Sequence, residues 1–151
     1  MQKITPFLWF SGNAEEAMEF YVSIFKNSKV LNVMGPRGKA MSVSFQLEGQ
    51  EFHALNGGPQ FSFTPAISLF VSCETQAEVD ELWGKLTAGG GSEEQCGWLR
   101  DKFGLSWQII PTLLPNLLSD KDPKKSQGVM KAMLQMRKID SKKLQQAYDQ
   151  A

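Results

Sequence analysis

Apolar residues recur along this chain with two periods, and the periods alternate. Ile4 to Phe10 is rich in aromatic side chains, as a strand would be. Ala17, Phe20, Tyr21, Ile24 and Phe25 follow at helical spacing, behind Asn13 and Glu16, whose separation suits a reciprocal capping box. That helix should end near Lys26-Asn27. Three strands are predicted next: Ser28 to Met34, Met41 to Leu47 and Glu51 to Leu55. Gly35-Pro36-Arg37-Gly38, Glu48-Gly49 and Asn56-Gly57-Gly58-Pro59 punctuate them. The first part reads β-α-β-β-β.

The second part begins the same way. Ala66 to Cys73 is a predicted strand, Thr75 and Glu78 form a second capping box, and Val79, Leu82, Trp83 and Leu86 line one helical face. Ala88-Gly89-Gly90-Gly91 should end this helix. A short stretch around Glu93-Glu94, a strand from Cys96 to Arg100, a turn at Asp101-Lys102-Phe103-Gly104 and a strand from Leu105 to Ile110 follow. Sliding the first part by 61 residues brings Leu8 onto Leu69, Trp9 onto Phe70, Met18 onto Val79, Tyr21 onto Leu82 and Phe25 onto Leu86. Two readings account for the pattern: chance agreement between two amphipathic segments, or one module used twice, each copy needing its twin to bury a sheet face.

The chain beyond the second module has a different character. Pro111 to Pro115 should break regular structure, and Asp120-Lys121-Asp122-Pro123 reads as a loop leading into a helix. Val129, Met130, Met133, Leu134 and Arg137 belong to that helix, and Leu144, Ala147 and Tyr148 to a second one starting near Asp140. The expected organisation is a paired domain over 1–112, with modules about 1–60 and 61–112, and a helical extension over 113–151.

Composition removes several classes of function. Of 151 residues, 42% are hydrophobic and 21% charged, which fits an ordinary folded domain. Sixteen basic residues balance sixteen acidic ones, so the chain as a whole lacks the basic surplus that nucleic-acid binding draws on. No apolar run reaches the length of a membrane span, and Met1-Gln2-Lys3-Ile4-Thr5-Pro6 has no signal-peptide core. The expectation is a cytoplasmic protein without nucleic-acid or membrane partners.

Side chains capable of catalysis are few. His53 is the single histidine, so any Ser-His-Asp arrangement would have to use it as base. Its other reading is a strand histidine hydrogen-bonded at the sheet face. Cys73 and Cys96 form no CxxC pair, and Cys96 has no adjacent cation to stabilise a thiolate. Ser106 and Gln108 alternate with Leu105, Trp107 and Ile109, so Ser106, Gln108 and Ile110 share one strand face. Arg100 and Asp101 read as a surface pair.

Leu55-Asn56-Gly57-Gly58-Pro59 and the long motif Cys96-Gly97-Trp98-Leu99, Asp101-Lys102-Phe103-Gly104, Ser106-Trp107-Gln108-Ile109 and Pro111 carry a family resemblance. The chain resembles the PhnB-like branch of the vicinal oxygen chelate superfamily, which includes glyoxalase I, extradiol dioxygenases and bleomycin-resistance proteins. That branch often bears the name 3-demethylubiquinone-9 3-methyltransferase. The likeness extends to Met133, Met136 and Lys138-Ile139-Asp140. It implies an α+β fold in which two paired βαβββ modules form a curved mixed sheet around a cavity, followed here by C-terminal helices.

The same resemblance poses a metal question. Metal-dependent relatives carry ligands on the first and last strands of each module, where the ion acts as a Lewis acid. In this sequence the matching faces hold Thr5, Phe7 and Trp9, then Ala66, Ser68 and Phe70, and Gln108 stands where glyoxalase-like proteins usually carry Glu. His53 and Asn56 are the nearest polar residues of the fourth strand. This set lacks the carboxylates and imidazoles that divalent ions favour. Nor does a glycine-rich strand-to-helix turn for S-adenosylmethionine occur. The expectation is a homodimer binding a small molecule in the sheet cavity, with no metal or other cofactor. Phe7, Trp9, His53, Asn56, Ser68, Trp98 and Gln108 are its candidate ligand contacts. Were the chain an enzyme, the family name implies a methyltransferase and the fold a lyase or oxygenase.

Overall fold

A computed structural model describes residues 2–151. The chain divides into two compact units, the first ending at Phe63 and the second running from Thr64 to Ala151.

In the first unit, β1 (Phe7–Phe10), α1 (Ala14–Ile24), β2 (Lys29–Met34), β3 (Ser42–Leu47) and β4 (Gln50–Asn56) give a four-stranded mixed sheet of order β1-β4-β3-β2. β1 runs parallel to β4, with Phe7 opposite His53 and Phe10 opposite Asn56. Hairpin pairing joins β3 to both β4 and β2. The alternation in β3 is realised in full: Val43, Phe45 and Leu47 are buried and the residues between them are not. Phe45 stacks on Phe52 at 5.5 Å between ring centroids and meets Tyr21 of α1 at 6.2 Å. Each such fully buried side chain contributes roughly 1.5–3 kcal/mol. β2 is exposed along its whole length, although it carries Val30, Leu31, Val33 and Met34.

The second unit repeats this topology. β5 (Ser68–Cys73), α2 (Gln76–Thr87), β6 (Ser92–Glu93), β7 (Trp98–Arg100) and β8 (Ser106–Pro111) form a sheet of order β5-β8-β7-β6, with β5 parallel to β8. The offset of 61 carries Phe7 to Ser68, but their partners His53 and Ser106 are 53 apart, so the repeat shortens between helix and last strand. β6 accordingly has only two residues where β2 has six. Val79 and Leu86 of α2 are fully buried, as are Leu99 and Ile109 of the sheet.

The tail is part of this second unit. Three helices, α3 (Leu113–Leu118), α4 (Pro123–Met133) and α5 (Ser141–Gln150), share a core of Ile110, Leu114, Leu117, Val129, Met136, Ile139 and Leu144. α3 corrects the expected break at Pro111 to Pro115: Pro115 lies in the first turn, where its missing N–H costs no helical bond. α4 ends at Met133, short of Arg137, because the following residues turn to meet the sheet. There Met136 and Arg137 carbonyls accept from the Cys96 and Gly97 N–H groups, both at 2.8 Å. Gln76 clamps the same segment, donating to the Ile139 carbonyl at 2.9 Å and accepting from the Ser141 N–H at 2.8 Å. Lys138 reaches Asp80 at 2.8 Å, and this bond, with that of Gln76, holds the Asp80 carboxyl below its ordinary value.

Candidate ligand-binding site

Four of the expected contacts fall in the first unit, on β1 and β4. Phe7 is 57% exposed and meets the His53 ring edge-on at 5.4 Å. Trp9 donates its indole N–H to the Gly58 carbonyl at 2.9 Å, and its ring lies over Gly57, where an added Cβ would stand 2.3 Å from Cζ2. Asn56 does what the sequence assigned to Asn13. Its Oδ1 accepts from the Ala14 N–H at the start of α1, and its Nδ2 donates to the Ala40 carbonyl, both at 2.9 Å. Asn13 makes no side-chain cap, so the first capping box is corrected: the cap comes from 42 residues downstream. The Asn-Gly-Gly motif is thus explained by the fold, one residue capping a helix, the next making room for an indole, and Gly58 taking φ +98°. The second box is as expected in its first half, with the Thr75 hydroxyl accepting from the Glu78 N–H at 3.1 Å. The Glu78 carboxylate accepts from Glu74, one residue before the cap.

The remaining three, Ser68, Trp98 and Gln108, sit on adjacent strands of the second sheet. Gln108 is opposite Phe70 on one side and Trp98 on the other. Its Nε2 donates to the Ser68 hydroxyl at 2.9 Å. Phe70, Cys96, Trp98, Gln108 and Ile110 line one side of a pocket of about 230 Å³. Leu114, Pro115 and Leu118 of α3 and Met133 of α4 line the other. Leu114, Pro115 and Leu118 escaped the sequence reading because a break was expected where α3 forms, and Met133 because helical periodicity marks an apolar stripe without saying what it faces.

Two local devices hold this floor. Cys96 (φ 59°) and Gly97 (φ +86°) are consecutive left-handed residues, which turns both N–H groups toward the extension and starts β7 at Trp98 rather than Cys96. A Cβ on Gly97 would meet Ile110 at 2.6 Å and Ile139 at 3.0 Å. Asp101 is the second device. It is 2% exposed, and its carboxylate accepts from the Phe103 N–H (2.9 Å), the Leu105 N–H (3.0 Å) and the Trp107 indole (2.9 Å). The expected Arg100–Asp101 surface pair is therefore corrected: Asp101 is a buried turn anchor, and Arg100 pairs with Glu94 at 3.3 Å.

The thiols differ. Burial, with Glu78 nearby, pushes the Cys73 thiol up to about 12, which keeps it protonated. Cys96 is half-buried at the pocket. Among the described residues no three His, Cys, Asp or Glu side chains gather as a metal site would require. The neutral donors around Gln108 do not fit a divalent ion.

The modules define the glyoxalase/bleomycin-resistance class of fold. The genomically encoded fosfomycin resistance protein FosX of Listeria monocytogenes, solved with Mn(II) and sulfate, shares it at TM-score 0.55 and 16% identity, over 78% of this chain and 97% of that one. PA1353 from Pseudomonas aeruginosa matches at TM-score 0.60 and 20% identity, over 74% of this chain and 98% of its own. Within that class the chain belongs to the 3-demethylubiquinone-9 3-methyltransferase family, whose model matches residues 2–110. The putative 3-demethylubiquinone-9 3-methyltransferase, PhnB protein, from Bacillus cereus is 39% identical at TM-score 0.68, covering 74% of this chain and all of its own. No functionally curated protein matches. The family match ends before α3, so the tail likeness at Met133 to Asp140 lies outside it.

Proposed function

We propose that the protein binds a small molecule on the sheet face of its second module, oriented by Gln108 and without a bound metal. One observation carries the reading: an amide held by Ser68 lies in an otherwise apolar pocket flanked by Phe70 and Trp98. Pockets that combine apolar walls with a few fixed polar groups are the usual form of small-molecule sites. The donor set favours neutral recognition over Lewis-acid chemistry. A methyltransferase activity, which the family's name suggests, finds no support in the β1–α1 connection. That turn, Ser11-Gly12-Asn13, lacks the glycine-rich sequence of nucleotide loops, and the sheets are mixed rather than doubly wound. Among the described residues no helix is long and apolar enough to cross a membrane, and action in the cytoplasm belongs to the same reading. A homodimer does too, with the exposed apolar strand β2 as its pairing edge.

Affinity selection from a small-molecule library, with retained compounds identified by mass spectrometry, tests the proposal. Compounds retained by the native chain should bind Gln108→Leu at least tenfold more weakly. Equal retention by both chains would contradict it. Elemental analysis should find no stoichiometric zinc, nickel, iron or manganese, and one tightly held ion per chain would overturn the metal-free part.

A further inference from the structure

The pocket beside Gln108 has two walls of different origin. Phe70, Trp98 and Gln108 come from the sheet within the family match, whereas Leu114, Leu118 and Met133 come from helices beyond residue 110, where that match ends. The second wall is firmly held. It is tied to the sheet by the Cys96 and Gly97 N–H groups, clamped to α2 by Gln76, and anchored by fully buried Val129, Ile139 and Leu144. A wall that is already ordered adds little entropy cost on binding.

The chemistry of the pocket is restrictive. No lining residue carries a formal charge. A charged ligand would shed its water and meet no counter-ion. Phe70 and Trp98 offer aromatic faces, and Met133 a polarisable thioether, all suited to a flat ring. Gln108 gives one Nε2 proton to Ser68, which leaves an N–H and the Oε1 for a ligand. A hydroxyl, both donor and acceptor, answers both. A dry cavity of about 150 Å³ holds benzene. A pocket of about 230 Å³ therefore has room for one ring with small substituents.

We propose that α3 and α4 make the sheet face into a specificity pocket for a neutral, single-ring hydroxyl compound of the phenol type. Its ring packs against Phe70, Trp98 and the Leu118–Met133 wall, and its hydroxyl bonds Gln108. The proposal rests on the reading that the ligand sits at Gln108, and it adds the ligand's class and the role of the extension.

The test titrates p-cresol into the full chain, with toluene and p-toluate as hydroxyl-free and charged counterparts. The side-chain N–H resonances of Gln108 and Trp98 are followed by NMR. p-Cresol should shift both and bind at least tenfold more tightly than either counterpart. Leu118→Trp and Met133→Trp, at two partly exposed positions, fill the pocket from the extension side. Each should weaken p-cresol at least tenfold with Tm unchanged, and two variants guard against one that fails to fold. Equal or tighter binding of p-toluate, or no p-cresol shift at millimolar probe, overturns the phenol class. p-Cresol binding that both variants leave unchanged overturns the extension's role. In that case a loss in Gln108→Leu leaves the sheet-face reading standing, and no loss removes it as well. Self-association that broadens the pocket resonances without p-cresol binding makes this face an interface between copies, and also overturns the proposal.

Discussion

Both modules set an exposed phenylalanine beside a polar residue of the neighbouring strand. Phe7 lies opposite His53 in the first and Phe70 opposite Gln108 in the second, 57% and 56% exposed. The surroundings then diverge. In the first module the polar groups near the strand ends serve the fold: Asn56 caps α1 and holds Ala40, and Trp9 is bonded to Gly58 and seated on Gly57. In the second the turn is anchored by Asp101, and the extension supplies a wall facing Gln108. One topology can therefore spend its amide on structure in one copy and leave it bonded to a single serine hydroxyl in the other. What distinguishes Asn56 from Gln108 is the hydrogen-bond partners each already has.

The largest expected effect separates the two anchors. Asp101→Ala strands three donors, two of them buried, and should destabilise the protein by about 3–5 kcal/mol in urea unfolding, since each unsatisfied buried group costs about 1–3 kcal/mol. A loss below about 1 kcal/mol would mean that the turn forms without its carboxylate. The thiols give the next contrast. At pH 8 iodoacetamide should alkylate Cys96 at least about a hundredfold faster than Cys73, because alkylation requires an accessible thiolate. Equal rates by mass spectrometry would place Cys73 in contact with solvent. The raised Cys73 value also has a sign. The unfolded chain ionises first as pH rises above the ordinary thiol value of 9.0, so stability present below that pH should fall toward about 12. Cys73→Ala should flatten this alkaline decline.

Asn56→Ala should cost about 2 kcal/mol, the sum of a lost cap and an unpaired Ala40 carbonyl. Gln108→Leu should change stability by less than about 1 kcal/mol, because a partly exposed amide bonded to one hydroxyl contributes little to folding. If these two results were reversed, with Gln108 structural and Asn56 dispensable, the comparison between the modules would collapse.

The repeat was legible in the sequence because it rests on local periodicity. Strand β3 alternates cleanly, and the apolar residues of both helices recur at 3.6-residue spacing. The cap by Asn56 was not, since the better local candidate, Asn13, stood at the right position and the residue whose oxygen accepts from the Ala14 N–H lies 42 residues away. Asp101 was misread for a related reason. Its neighbour Arg100 suggested an ion pair, whereas the carboxylate bonds residues two to six positions onward in a turn closed by Gly104. The face holding Gln108 followed from period two, but its facing wall depends on where α3 and α4 dock. That docking comes from Cys96-Gly97 and Gln76, whose bonds to residues 136–141 no periodicity announces.

The side-chain amide resonances of Asn56 and Gln108 test the central contrast most directly. A molecule that binds the native chain should, at saturation, shift the Gln108 amide signals and leave those of Asn56 in place, with the Asn56 protons slow to exchange in the free protein. Shifts at Asn56 with Gln108 unmoved would put the ligand on the first module and contradict the account.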